Sequence, residues 1–488
     1  MFLKTTIIAT KISNMKKIIF PVLALLLISY SCQNVEHKNS KKAKYVFLFI
    51  GDGMGIQVIN TTQVYIDSVL KSDKSLSFIN FPVQTFATTY AANQYITCSA
   101  AAGTALSTGS KTSIGTLGLN FNHTDTLFSI AKKFKDTGYK VGLLTSVSID
   151  HATPAAFFAH QGSRGSSYEI AVDMLKSGYD FYASGGFVDP YGKKLKEPVE
   201  SIYSLGKKYS FAFTSNLDSV DILKSNFKSI VYSTPDPASE STLKNYIDAD
   251  SADVTLAELT KKAIQTLDNP KGFFMMVEGG KIDWACHSND GATAIKEVIA
   301  FSDAIIPALE FYKAHPDETL IIVTADHETG GFSLGNKENK YGNKLSILSN
   351  QKVSKENLKD LVINELRRKP RPTFAQMLEF AKAKTGLGDE KLNLALKDEE
   401  QKKLLEAYNK TIRELEKSSS KTDYLSESKE QFSSLCIDFI NKKAAIGWTS
   451  TAHTGSPVPV YVIGNGSELF FGRIDNTDIP KIIVKSAL

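Results

Sequence analysis

The hydrophobic residues of this chain fall into short unbroken runs, separated by longer stretches with a helical repeat. Tyr45–Ile50 reads YVFLFI, Lys140–Val147 reads KVGLLTSV, Gly272–Val277 reads GFFMMV and Thr319–Thr324 reads TLIIVT. Runs of this length without polar alternation predict strands buried on both faces, as in a parallel sheet. Between them, Thr126–Asp136, Tyr168–Leu175, Ala252–Leu267 and Ala294–Lys313 carry helix-like patterns. The alternation predicts an α/β fold, a three-layer sandwich around a large, mostly parallel central sheet. From about residue 337 to 440 the strand runs disappear and the chain becomes charged and helical, as in Leu396–Lys417. That segment is expected to be a helical insertion capping the site, with its Lys/Glu pairs on solvated faces. VPVYVIG (Val458–Gly464) and SELFFG (Ser467–Gly472) restore strand character, so the α/β domain is expected to comprise residues 45–336 and 441–488.

Polar residues with ligand chemistry follow the apolar runs. Asp52 follows the first, His151 and Thr153 the second, Glu278 the third, and Asp326 and His327 the fourth. Open α/β sheets gather their sites at these C-terminal strand ends. Five of the eight histidines (His151, His160, His287, His327, His453) lie in Gly/Asp/Thr-rich motifs, whereas His37, His123 and His315 read as surface residues. Asp283 and His287 have i,i+4 spacing and would share one face of a helix, where they can bind one ion. This supply of nitrogen and oxygen ligands with little thiolate favours Zn²⁺ at the histidine-containing positions, and Mg²⁺ beside Asp52, Glu278 and Thr153. His160, on a helix expected after Thr153-Pro154, reads either as a supporting residue of that site or as a structural one.

The stretch Thr97–Gly118 sets Ser99 at the start of a small-residue helix, Ala100–Leu106. A serine there faces unpaired N–H groups and the positive end of the helix dipole. By itself this describes either an N-cap in a packing helix or a seat for a phosphate or a serine nucleophile. The metal-type residues elsewhere favour the second.

With 488 residues and 42% hydrophobic composition the chain can bury a large core. Its net charge of +5 includes Lys4, Lys11, Lys16 and Lys17, so the chain from Cys32 onward carries only +1. No nucleic-acid footprint remains. Residues 1–31 read as a lipoprotein-type signal peptide: Lys16-Lys17, an apolar core Ile18–Ile28, then small residues before Cys32. Cys32 would be the acylated first mature residue and residues 33–44 a tether, with Met15 an alternative start. The protein is therefore expected to be exported, as a periplasmic or outer-membrane/cell-surface lipoprotein held by that anchor. The other cysteines, Cys98, Cys286 and Cys436, are too few for a disulfide framework, and Cys436 reads as core packing.

Six motifs, IGDGMG, TCSAAAGTALSTG, HATPAAFFAHQGSR, VEGGKIDWACH, TADHETGGF and TAHTG, occur in this order and resemble the alkaline phosphatase family. The resemblance covers about residues 45–335 and 445–488 and is weakest across the helical insertion. It implies a phosphomonoesterase with an alkaline optimum, two Zn²⁺ and one Mg²⁺, taking small phosphate monoesters and releasing inorganic phosphate, and it allows a homodimer. Ser99 would be the nucleophile and form a phosphoserine. Asp283, His287 and His453 would hold the zinc at the leaving-group oxygen. Asp52, Asp326 and His327 would hold the zinc at the Ser99 oxygen. Asp52 would also face Mg²⁺ with Thr153 and Glu278, and Arg164 would grip two phosphoryl oxygens.

The chemistry is consistent. A serine hydroxyl needs a cation to become a competent nucleophile at neutral pH. Paired cations about 3.5–4 Å apart stabilise the entering and leaving oxygens, and an arginine fork matches two phosphoryl oxygens. Three residues beside the site depart from the familiar pattern. Cys98 stands where many members have an Asp that orients the arginine. His151 replaces an Asp common in bacterial members and would soften the Mg²⁺ site. Trp284 replaces a Lys or His, which would weaken the electrostatic hold on phosphate. A phosphodiesterase of the same superfamily is the alternative, and a non-catalytic surface lipoprotein capturing phosphate or metal a further one. The absence of a CxPxR motif argues against a sulfatase.

Overall fold

The computed structural model describes residues 42–417 and 430–488. The signal peptide, Cys32 and most of the expected tether lie outside the described residues. At the end of that tether Ala43 is buried, between exposed Lys42 and half-buried Lys44. Ala43 N–H donates to the Ser486 carbonyl at 2.8 Å, and Lys44 N–H to that of Glu318 at 2.7 Å.

The strands are β1 Tyr45–Gly51, β2 Val83–Thr88, β3 Lys140–Thr145, β4 Phe181–Ser184, β5 Phe211–Thr214, β6 Ser229–Ser233, β7 Phe273–Gly279 and β8 Thr319–Thr324. After them come the short strands β9 Glu328–Thr329, β10 Ser333–Leu334, β11 Ile446–Gly447 and β12 His453–Thr454, then β13 Val458–Gly464 and β14 Arg473–Asp475. Among the described residues ten of them form one sheet in the order β14-β2-β13-β8-β1-β7-β3-β4-β6-β5. Only β13 runs antiparallel to its neighbours. The four apolar runs are its centre: every residue of β1, β7 and β8 is buried. This explains their lack of alternation, because helices cover both faces.

One layer contains the helices Ile56–Tyr65, Leu256–Leu267 and Gly291–Ala314, and the other Ser99–Thr108, Ile130–Asp136, Ala152–Ala155 and Asp478–Ala487. Local chemistry sets several helix starts later than the apolar pattern suggests. Ser129 Oγ accepts from Lys132 N–H, so the helix expected from Thr126 begins at Ile130. Thr255 and Glu258 form a capping box, which moves the start expected at Ala252 to Leu256.

The outer strands carry no long apolar run. The exposure of β2 alternates and β4, β5 and β6 have four or five residues, so periodicity alone did not disclose them. SELFFG is not a strand. Ser467–Leu469 is a 3₁₀ turn between two glycines of positive φ, Gly466 (86°) and Gly472 (71°), and pairing resumes only at β14.

Residues between β10 and β11, where described, hold helices Lys355–Leu366, Phe374–Thr385, Asp398–Lys417 and Phe432–Ala444. The last passes the boundary expected at 440. The base of the segment is the antiparallel pair Ser333↔Gly447 and Leu334↔Ile446.

Glu297 is buried in the helix Gly291–Ala314 and accepts from Tyr246 N–H at 2.6 Å. Burial raises its carboxyl to about 7, against the partial relief given by Lys281. The native state therefore holds this proton more tightly than the unfolded chain does. The stability this gives is complete below about pH 4.5 and is lost as pH rises through about 7. Glu297→Gln is expected to match wild type in melting temperature at pH 4.5 and exceed it at pH 8.5, by up to ~3 kcal/mol in stability. Equal differences at both pH values would refute this.

Candidate active site

Register brings the first ligands to one level. Ile50 pairs with Glu278 on one side and with Thr324 on the other, and Thr145 pairs with Glu278. The chain leaves β1 into Asp52 and β8 into Asp326-His327, while Glu278 sits near the end of β7. The turn after β1 requires glycine: Gly53 has φ +68°, and a Cβ there would lie 2.8 Å from both Asp283 Oδ1 and Thr329 Oγ1. Its N–H donates to Asp326 Oδ1 at 3.1 Å.

Helix Lys281–His287 follows β7 and presents Asp283 and His287 on one face, with His287 Nε2 3.3 Å from Asp283 Oδ2. His453, on β12, is held by β9, where His453 pairs with Thr329. His287 Nδ1 donates to the Thr451 carbonyl at 2.6 Å, and His453 Nδ1 to that of Thr97 at 2.8 Å. Carbonyls only accept, so in the neutral rings both Nε2 atoms carry lone pairs. These face each other at 3.0 Å. Two lone pairs so placed repel unless a cation lies between them, and the Nδ1–H···O=C bond is the usual support of a metal-binding histidine.

His327 Nε2 lies 3.4 Å from Asp52 Oδ1 and 3.2 Å from Asp326 Oδ2. Three sets of ligand atoms converge: Asp283, His327 and His453; Asp52, Asp326 and His327; and Asp52, His151 and Glu278. Asp52 Oδ1, Asp326 Oδ2, Glu278 Oε1 and His151 Nδ1 are buried without a hydrogen-bond partner. Asp52, Asp326 and Glu278 are fully buried and Asp283 is 4% exposed. Burial, then the charges of Asp326 and Asp283, pushes Asp52 well above the usual carboxylate range. Burial and Asp283 raise Asp326 to about 8. Asp283 goes the other way: burial opposes ionisation, but the His287 hydrogen bond and the nearby imidazoles outweigh it. Burial lowers His327 and His453, which keeps them neutral as metal ligands must be. Anions and lone pairs in such excess fit bound cations, and the residues present suit zinc and magnesium chemistry.

Ser99 opens the helix Ser99–Thr108, with Oγ 3.3 Å from His327 Nε2 and 3.4 Å from Arg164 Nη1. Arg164 Nη2 lies 3.1 Å from His151 Nε2. Every residue expected at the site is therefore brought together, but His151 comes closer than expected. It faces Asp52 and Glu278 directly, with Nδ1 3.9 Å from Glu278 Oε1. Thr153 Oγ1 donates to Asp52 Oδ2 at 3.1 Å. Cys98 acts through the backbone: its Sγ accepts from Gly115 N–H, and the Gly115 carbonyl accepts from Arg164 N–H at 2.8 Å. Trp284 lies beneath a cation after all, with Lys281 Nζ 4.8 Å from its ring centre.

His160 is structural. The helix ends at Ala155, and its Nδ1 pairs with the Gly118 carbonyl. His123 and His315 are remote from the cluster; His123 hydrogen-bonds Thr116 and His315 packs on Phe311. Cys98, Cys286 and Cys436 are free, with the last two buried. Sequence reasoning missed three supporting residues: Thr145, which donates to Glu278; Thr329, which donates to Asp283 at 2.5 Å; and Glu328, which accepts from Thr454. Thr329 and Glu328 stand inside TADHETGGF, so the motif contained them without revealing their roles.

Fold and site define a class, the α/β hydrolases with clusters of carboxylates and imidazoles suited to metal ions at the C-terminal edge of the sheet. A sequence model of the alkaline phosphatase family matches residues 43–186 and 239–488, and the chain belongs to that family, whose members hydrolyse phosphate monoesters. The match spans the helical segment expected to resemble it least; residues 187–238 fall outside it instead. Alkaline phosphatase 4 of Bacillus subtilis is 32% identical over 499 residues, covering 97% of each chain. The cold-active alkaline phosphatase of the psychrophile Shewanella sp. is 28% identical with TM-score 0.72, covering 90% of this chain and 99% of that one. A histidine-to-glutamate variant of TAB5 alkaline phosphatase, with Mg bound in its M3 site, is 25% identical with TM-score 0.62, covering 91% and 98%.

Removing divalent ions should leave the buried anions uncompensated. Chelation is expected to lower the melting temperature by at least several degrees, and zinc with magnesium to restore it. An unchanged melting temperature after verified metal removal would show that the cluster does not hold structural charge.

Proposed function

We propose that this protein is an exported metal-dependent phosphomonoesterase that works through a phosphoserine on Ser99. The observation that carries the reading is the approach of His287 Nε2 and His453 Nε2 to 3.0 Å beside a buried cluster of carboxylates and His327, whose Nε2 lies 3.3 Å from Ser99 Oγ. Asp283, His287 and His453 would hold one zinc, and Asp52, Asp326 and His327 the other. Asp52, Glu278 and Thr153 would hold magnesium, with His151 beside them. The TAB5 variant that binds Mg in its M3 site carries a glutamate in place of a histidine, which supports a magnesium site built on carboxylates. When bound, these ions supply Lewis acidity to the serine, leaving-group and water oxygens.

The chain's own residues supply position. The Arg164 guanidinium would take two phosphoryl oxygens and align the phosphorus with Ser99 Oγ. Attack forms the Ser99 Oγ–P bond and breaks the ester P–O bond, releasing the alcohol. Water then cleaves the Oγ–P bond and inorganic phosphate leaves. His151, within hydrogen-bonding distance of Arg164, steadies the guanidinium in the absence of a carboxylate at position 98. Zinc-loaded and magnesium-loaded protein is expected to hydrolyse a phosphomonoester far faster than a phosphodiester or a sulfate ester between pH 7 and 10. Ser99→Ala should lose at least about 10³-fold of that activity. Dominant diester turnover would overturn the substrate class, and no turnover of any ester would favour phosphate or metal capture.

Export and anchoring rest on residues 1–32. No helix among the described residues is long and apolar enough to cross a membrane; the attachment we propose is acylation of Cys32. Cys32→Ser is expected to move the protein from the detergent phase to the aqueous phase in Triton X-114 partitioning of cells. Detergent partitioning of both forms would refute acylation at this residue.

A further inference from the structure

Beside the metal cluster lies a second feature that the phosphoryl chemistry does not use. A cavity of about 570 Å³ opens between the helix Lys281–His287, the loop at Ser239–Asn245 and two helices of the segment between β10 and β11, Lys355–Leu366 and Phe432–Ala444. It begins at His287, a residue of the site, and at Trp284 one turn earlier on the same helix. The volume falls within the range of small-molecule sites.

Its walls have an unusual composition. Ser239, Ser288, Ser354, Ser433 and Ser434 line it, together with Asn245 and the indole of Trp284. The charged residues balance. Lys355, Lys359, Glu240, Asp290 and Glu356 line the cavity, and Lys281 stands over the Trp284 ring with Nζ 3.8 Å from Glu356 Oε2. Several of these charges are already engaged. Lys355 Nζ donates to the Ser288 carbonyl at 2.9 Å, and Asp290 accepts from Thr293 and Gln351. Such a cavity offers hydroxyls and one aromatic surface but little net field. It suits neither an anionic group nor an apolar one.

We propose that this cavity is the leaving-group subsite and selects phosphate monoesters of a neutral, polyhydroxylated ring, such as a sugar or the ribose of a nucleoside. The inference rests on the phosphomonoesterase reading, in which His287 lies on the leaving-group side. Trp284 gives the ring a stacking surface. Ser239 and Ser433 donate to Glu356 and Glu430, and Asn245 Nδ2 to Glu356, so these side chains meet ring hydroxyls as acceptors. The hydroxyl-bearing ring thus adds binding energy remote from phosphorus, which raises kcat/KM.

The test compares three esters of primary alcohols, whose intrinsic leaving abilities are similar: glucose 6-phosphate, adenosine 5′-monophosphate and ethyl phosphate. Wild-type holoenzyme is expected to show kcat/KM at least about tenfold higher for one or both ring substrates than for ethyl phosphate. The better of the two identifies the source of the ring, and free glucose or free adenosine should inhibit ethyl phosphate hydrolysis competitively in the same order. Ser434→Trp fills the cavity away from the metal cluster and should remove that preference while leaving ethyl phosphate turnover within twofold. Glu240→Trp, on the exposed loop, makes the same test should the first variant fail to fold. Equal kcat/KM for all three substrates in wild type, or a preference that survives filling, would overturn the subsite. Failure to hydrolyse even ethyl phosphate would instead overturn the underlying reading.

Discussion

The site depends on a concentration of buried negative charge that the polypeptide does not neutralise. Asp52, Glu278, Asp283 and Asp326 lie at the C-terminal edge of the sheet with at most 4% exposure, and Arg164 is the cation that reaches them. Burying charge without a partner is costly. Bound cations would meet that cost, and folding and function would then rest on the same ions. The neutral imidazoles of His327 and His453 fit this arrangement, because a protonated ring would repel the ion it is placed to hold.

The scaffold is rigid where this arrangement needs it. β8, β1, β7 and β3 are adjacent at the centre of the sheet, and their shared register carries Asp52, Glu278 and Asp326 to a common level. Backbone carbonyls of Thr451 and Thr97 orient His287 and His453. Such hydrogen bonds from outside the ligand set fix which ring nitrogen faces the ion. The stretch outside the family match, 187–238, contributes β5 and β6 at one edge of the sheet. Strands added at that edge leave the central register unchanged, which explains how the chain departs from the family there and keeps its site.

A buried carboxylate helps join the helical segment between β10 and β11 to the helix Lys281–His287. Asp290 caps the helix Gly291–Ala314 and also accepts from Gln351 Nε2 and from Lys355 N–H at 2.7 Å. It thereby ties the end of Lys281–His287 to the insertion. Hydrogen bonds thus connect the wall of the neighbouring cavity to the end of the helix that carries His287.

Much of this was legible in the order of residues. The four unbroken apolar runs became the central strands because a strand covered on both faces needs no polar alternation. Asp283 and His287 share a face because helical geometry places i and i+4 together. The six motifs contained the carboxylates and imidazoles that the fold brings together, residue types suited to metal and phosphate chemistry. Other features needed contacts between distant parts of the chain. β2 lacks a continuous apolar run and β4–β6 are short, and strand pairing rather than hydrophobic periodicity defines them. His151 reached Glu278, and His287 reached His453, only when loops 127 and 166 positions apart in sequence closed on each other. Composition and local periodicity specify which groups are present and which elements carry them. Register, helix caps and long-range packing specify which atoms face which, because those distances are properties of the folded chain alone.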